Sequence, residues 1–221
     1  MCFRIHPLLA VLVLLGTPCL KAAVLFSEPF ASNIVGWTLG ANWQIGPAVA
    51  SPSTMQGFGD PGLDHTPTAD NGIAGTVIGG NVPASLGLRQ LTSPVINLAV
   101  PGTVTLSFWR WLNSDHMPFV RSSVEVFNGS NWITLFETRD GPPIAEDAWT
   151  QYSYDVSAYK NANFQVRFGY EVLEPAAFVM SGWNLDDLLL ESAEVPEPSS
   201  GLLTAAALSA FALRRWLRRG V

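Results

Sequence analysis

Four acids stand out by type and placement: Glu28 near the start of the mature body, Asp64 in a long polar loop, and the adjacent Asp186 and Asp187 near its end. Carboxylates and backbone carbonyls are the hard oxygen ligands that calcium takes, and export exposes a protein to that ion. If the first and last strands are neighbours, these acids converge. Clustered carboxylates repel, whereas a divalent ion makes them mutually stabilising. The expectation is one structural calcium ion that staples the loop to the terminal strands, with Asp60 and Asp70 as reserve ligands. Strand neighbours point opposite ways, so only one of the adjacent pair faces the site. Asp186 is favoured, because Asp187 shares its face with Leu185 and Leu189, although a bulge would reverse this. The alternative is ordinary surface acids, with Asp64 capping a turn through its own backbone.

Catalytic constellations are harder to find. Glycoside hydrolysis needs two carboxylates facing each other across a cleft. Glu171 and Glu174 are at odd spacing, point to opposite faces of a strand and flank Pro175, as solvated turn acids do. Glu125 and Glu137 lie on the two arms of a hairpin and are more simply its wet face. There is no Gly-x-Ser-x-Gly motif. After export only His65 and His116 remain as bases, each following an aspartate, and zinc wants more nitrogen or sulfur ligands than two histidines supply. The sequence therefore names no catalytic residue. It has eight tryptophans, and an exposed indole can stack on a sugar ring. Trp109 and Trp111 share a strand face with Thr105 and Ser107 and are the candidates for glycan stacking. Packing in the core or under a loop is the other fate open to them.

The elements that must position these residues read as strands and turns. Val24–Phe30 is a first strand, followed by short pieces at Trp37 and Trp43–Ile45. A loop rich in Gly, Pro, Asp and Ser then runs from Pro47 to about Gly72; such length is functional or needs something to hold it. Further strands are Ile73–Ile78, Leu86–Leu98 with an edge or kink at Ser93-Pro94, and Thr103–Leu112, where period-two alternation is clearest. Ser122–Phe127 and Trp132–Glu137 flank Asn128-Gly129, a hairpin signal. Ala148–Val156, Phe164–Tyr170 and Trp183–Leu190 complete the set. No stretch of the body has a helical period. The expected fold is all-β, a two-sheet β-sandwich of jelly-roll type over residues 24–194.

The two ends differ from the body. Leu8–Leu15 is an apolar core of signal-peptide length behind Arg4, with small residues at Ala22 and Ala23, so residues 1–23 read as a signal peptide. Cys2 and Cys19 leave with it, and the mature body has no disulfide. The net charge of −6 understates the body's acidity, because the leader carries Arg4 and Lys21 and the tail carries four arginines. Such a surface repels nucleic acid and anionic lipid and suits cations or neutral glycans. Residues 195–221 begin Val195-Pro196-Glu197-Pro198, continue as the all-round apolar run Gly201–Leu213 and end in Arg214, Arg215, Arg218 and Arg219. Prolines keep the entry extended, the apolar run suits a single transmembrane helix, and the arginines mark its cytoplasmic end.

That tripartite tail resembles the PEP-CTERM sorting signal. The resemblance implies processing by exosortase, export through the inner membrane, transient anchoring by the C-terminal helix, and a destination at the cell surface or in an exopolysaccharide matrix. The body resembles the MAM domain, an extracellular adhesion module, and its bacterial relatives. Phe26-Ser27-Glu28, Trp37, Trp43, Asp64-His65-Thr66, Leu91–Pro94, Leu106–Trp109, Trp149, Phe164–Phe168 and Leu185–Leu188 follow in the family's order, without its cysteines. This implies binding rather than catalysis, and a cation near the acids above. The function expected is a non-catalytic surface or biofilm-matrix module that binds exopolysaccharide or a surface glycan. The alternatives are a glycan-active hydrolase or a lectin-like protein on the same fold.

The tail reading has a direct test by cell fractionation. Deleting Gly201–Val221 should release the protein as a soluble species. Replacing Pro196-Glu197-Pro198 by alanines should leave the tail attached and the protein in the membrane; processing like wild type would remove the sorting assignment.

Overall fold

The computed structural model describes residues 22–193, which form twelve strands and one short 3-10 turn. Residues 1–21 of the expected signal peptide, the Val195–Pro198 motif and the apolar tail lie outside the described residues, whereas Ala22 and Ala23 belong to β1. Among the described residues no helix is long and apolar enough to cross a membrane. The strands are β1 (Ala22–Glu28), β2 (Thr38–Leu39), β3 (Trp43–Pro47), β4 (Gly72–Thr76), β5 (Gly87–Thr92) and β6 (Thr103–Ser114). They continue with β7 (Val120–Phe127), β8 (Trp132–Glu137), β9 (Ile144–Ala145), β10 (Thr150–Asp155), β11 (Gln165–Val172) and β12 (Gly182–Ala193).

They make two sheets, as the alternation and turn spacing predict. The larger runs β10-β6-β12-β4-β3, with β1 added to β12 and β9 added to β6; the smaller runs β2-β5-β11-β7-β8. The first and last strands are neighbours, Glu28 standing opposite Leu188. The hairpin Asn128-Gly129 forms as read, with Gly129 at φ +96° and Asn128 accepting from the backbone of Ser130 and Asn131. The expected strand Leu86–Leu98 ends early, at Thr92, because Pro94 cannot donate to a ladder.

The core is the space between the sheets. On β6, Val104, Leu106 and Phe108 are buried while Thr103 and Thr105 are exposed. On β11, Val166, Phe168 and Tyr170 face in while Arg167 and Glu171 are partly exposed. Trp183 ties the layers together. Its ring meets Phe168 edge-on at 5.7 Å, and its indole N–H donates to the Gly169 carbonyl of the opposite sheet at 2.8 Å. Buried indoles need such a partner.

Charge also faces inward. Arg110, 4% exposed, lies 3.8 Å over the Tyr152 ring and donates through Nε to Glu146 at 3.1 Å. Glu146 also accepts from the Leu112 amide at 2.7 Å. An interior ion pair is weak evidence of net stabilisation, but breaking it leaves an uncompensated charge. Glu146→Leu should therefore destabilise the fold by about 3 kcal/mol. Arg110→Met with Glu146→Leu should recover most of that loss in denaturant titrations.

Candidate functional site

The long loop, residues 48–71, lies on the outer face of the larger sheet and is held there by side chains of β6 and β12. Phe58 donates its amide to Asn113 Oδ1 at 2.8 Å, and the Trp111 indole N–H donates to the Gly59 carbonyl at 3.0 Å. Trp149 donates to the Leu63 carbonyl at 3.2 Å. The His65 ring stacks on Trp109 with centroids 3.5 Å apart and planes at 14°. The outward-facing tryptophans are thus engaged by the loop. His65 lies on one face of Trp109, and Trp111 is half-buried with its indole N–H bonded to the loop.

The acidic pair meets this loop directly. Alternation predicts that Asp186 and Asp187 point to opposite faces. The structure instead has a register break between Asp186 and Leu189, with Asp187 at φ +46°. Aspartate tolerates that left-handed region better than most residues. The one extra residue shifts the phase of β12. Trp183 and Leu185 face the core before the break, Leu188 and Leu190 after it, and both carboxylates turn to the loop. Asp186 accepts from the His65 amide at 2.9 Å and from the Asp187 amide at 2.7 Å. Asp187 takes the His65 ring Nδ1 at 2.8 Å and the Thr66 hydroxyl.

Glu28 and Asp64 do not join them. Glu28, 3% exposed, accepts from the Phe30 amide at 2.8 Å and the Trp37 indole at 3.0 Å; burial pushes its carboxyl above the usual range despite those bonds. Asp64 accepts from the Thr68 hydroxyl at 2.8 Å, and its amide donates to Asn71 at 2.8 Å. Calcium takes six to eight oxygens. The group whose ligand atoms lie within 4.8 Å of one another is His65, Asp186 and Asp187, two carboxylates and an imidazole. Among the described residues Glu28 and Asp64 lie outside that group, so the four acids do not converge as one ligand set. The loop is held to the bulge by direct hydrogen bonds.

Asp60, named from sequence only as a reserve ligand, anchors the loop elsewhere. It accepts from the Gly79 and Gly80 amides at 3.0 and 3.1 Å and from Asn184 at 2.7 Å. Burial pushes its carboxyl up to about 6, against these donors. Burial, and then the neighbouring charge of Asp187, push Asp186 up to about 6 as well.

The carboxylates considered for catalysis are already partnered or apart. Glu125 accepts from Arg167 at 2.8 Å and Glu171 from Arg121 at 3.0 Å, while Glu174 is exposed in a turn. These ion pairs lie on the outer face of the smaller sheet. There Arg167 also stacks 4.0 Å over Trp132, itself 5.5 Å from Phe127. At the β8 edge is a cavity of about 510 Å3 lined by Thr134–Arg139 and Ile144. Sequence reasoning missed it, because its walls come from an edge strand and from β9, a two-residue strand with no periodic signal.

No family model matches the chain. Over 169 residues it is 26% identical to bacillopeptidase F of Bacillus subtilis (strain 168), a match covering 75% of this chain and 10% of that protein. The chain thus spans about a tenth of that relative's length. One similar solved structure is TmCBM61 in complex with β-1,4-galactotriose, with TM-score 0.41, 15% identity and coverage of 72% of this chain and 89% of that one. Another is the K1 cleaved adhesin domain of Lys-gingipain from Porphyromonas gingivalis W83, with TM-score 0.44, 18% identity and coverage of 79% and 99%. A third is the CBM22-1 xylan-binding domain of Paenibacillus barcinonensis Xyn10C, with TM-score 0.39, 13% identity and coverage of 80% and 99%. At such scores the likeness extends to neither ligand nor activity.

The Asp60 anchor predicts an unusual pH dependence. Its folded value lies above the unfolded one, so its contribution to stability is present below about pH 4 and is lost as pH rises through about 6. Denaturant titrations should show Asp60→Asn removing that part of the decline in stability between about pH 4 and pH 6.5. An identical slope in both proteins would show that Asp60 does not titrate in this way.

Proposed function

We propose that this chain is an exported, non-catalytic binding module of the cell surface or its polysaccharide matrix, with a neutral glycan as its ligand. The observation that carries the reading is where the acids go. Asp60, Asp186 and Asp187 hold the loop, Glu146 neutralises a core arginine, and Glu125 and Glu171 are paired with arginines. Among the described residues considered for hydrolysis, no two carboxylates stand free across a cleft, which glycoside hydrolysis needs. What remains outward on the smaller sheet is a polar surface whose charges cancel in pairs. With the chain's net charge of −6, that surface favours uncharged, hydroxyl-rich partners over anionic ones.

Export and sorting rest on the sequence of the two ends. The leader directs the chain through the inner membrane, Val195–Pro198 and the apolar tail present it to exosortase, and the body is left at the surface or in the matrix. Catalysis by bacillopeptidase F is not carried over, since the similarity covers a tenth of that protein.

The test is one screen with two readouts. The full chain should bind at least one neutral polysaccharide while releasing no reducing ends from any. Hydrolysis that disappears on changing Glu125, Glu137 or Glu171 would replace the binding reading with the hydrolase one.

A further inference from the structure

Resting on the binding reading above, we infer that the cavity at the β8 edge seats a single sugar unit of a neutral glycan, with Glu137 and Arg139 as its polar contacts. Its volume of about 510 Å3 lies in the range of small-ligand pockets. Leu135, Phe136 and Ile144 give it apolar walls, and Thr134, Glu137 and Arg139 give it a polar rim. A sugar ring has the same division, C–H groups on its faces and hydroxyls at its edge.

The rim is free to bind. The other charged side chains on the strands of the smaller sheet are engaged: Arg89 with Asn42 and Ser85, Arg121 with Glu171, and Arg167 with Glu125. Glu137 is exposed and has no ion-pair or hydrogen-bond partner among the described residues, and the same holds for the Arg139 side chain. A carboxylate that only accepts, beside a guanidinium that only donates, suits hydroxyls, which do both. The two charges also cancel, so a charged ligand gains nothing here.

The wall is preformed. The Arg110 guanidinium lies 4.9 Å from the centroid of the Phe136 ring, and Trp183 meets that ring edge-on at 6.3 Å. A rigid wall lowers the entropic cost of binding. An added peptide strand is the less suitable occupant of this edge. The β7–β8 register breaks between Val124 and Glu125, which leaves Leu135 as an extra, unpaired residue on β8. Bulges of this kind blunt an edge against strand addition.

The experiment is affinity electrophoresis of the full chain in gels carrying galactomannan, xyloglucan or dextran, with alginate as the charged comparison. A neutral gel should retard the wild type. Glu137→Ala and Arg139→Ala should each weaken binding about tenfold, the scale of a hydrogen bond to a charged group. Gln151→Ala, an exposed position on the other sheet, should bind as wild type. Both rim side chains are exposed, and unchanged thermal unfolding of their variants would confirm that the fold is intact. Retardation of both rim variants equal to wild type would overturn the cavity and leave the binding reading standing. Equal loss in Gln151→Ala would also overturn the cavity. Passage of the wild type through every gel would overturn both readings, and retardation by alginate alone would overturn the neutral ligand.

Discussion

The arrangement of this domain depends on one break in alternation, the bulge at Asp186–Asp187. A regular β12 would bury one of the two carboxylates among the core leucines. The break, with Asp187 in the left-handed region, puts both on the loop side and returns Leu188 and Leu190 to the core. Burying a carboxylate beside a like charge is costly, and burial first, then the charge of Asp187, raise the proton affinity of Asp186. Donors from His65, Thr66 and the local backbone offset it. The same residues that strain the strand therefore fix the loop.

Fixing the loop decides which surface is available. Its contacts to Trp109, Trp111, Asn113 and Trp149 cover much of the outer face of the larger sheet. The smaller sheet keeps its outer face, crossed by the pairs Arg167–Glu125 and Arg121–Glu171. Rigidity passes between the layers through Trp183, which bonds the Gly169 carbonyl and packs edge-on against Phe136. The inward Arg110 braces the same aromatic group. The cavity wall is thus continuous with the core, so its shape follows from interior packing.

The sequence by itself determined the class of fold and most of its strands. Alternation is a local property, and Val104 to Phe108 or Val166 to Tyr170 show which side chains must leave water whatever the partner strand is. Asn128-Gly129 set a hairpin register in the same local way. The sequence also pointed to Asp64 and Asp186-Asp187 as places where a cation would join the loop to the last strand. It did not reveal the form of that meeting. Whether Asp186 and Asp187 face together depends on a one-residue slip against β6, which no period in β12 encodes. The sequence assigned Glu28 and Asp64 to the same cluster, but local partners, Phe30, Trp37 and Thr68, claim them first. The fates of Trp109 and Trp111 were equally undecidable, because the loop that covers them lies some fifty residues upstream. The cavity was wholly tertiary: β8 reads as an ordinary strand, and its open side becomes a pocket only because β9 and the loop beside it fold next to it. Side-chain pattern fixes what must be buried, whereas register and loop docking fix what converges.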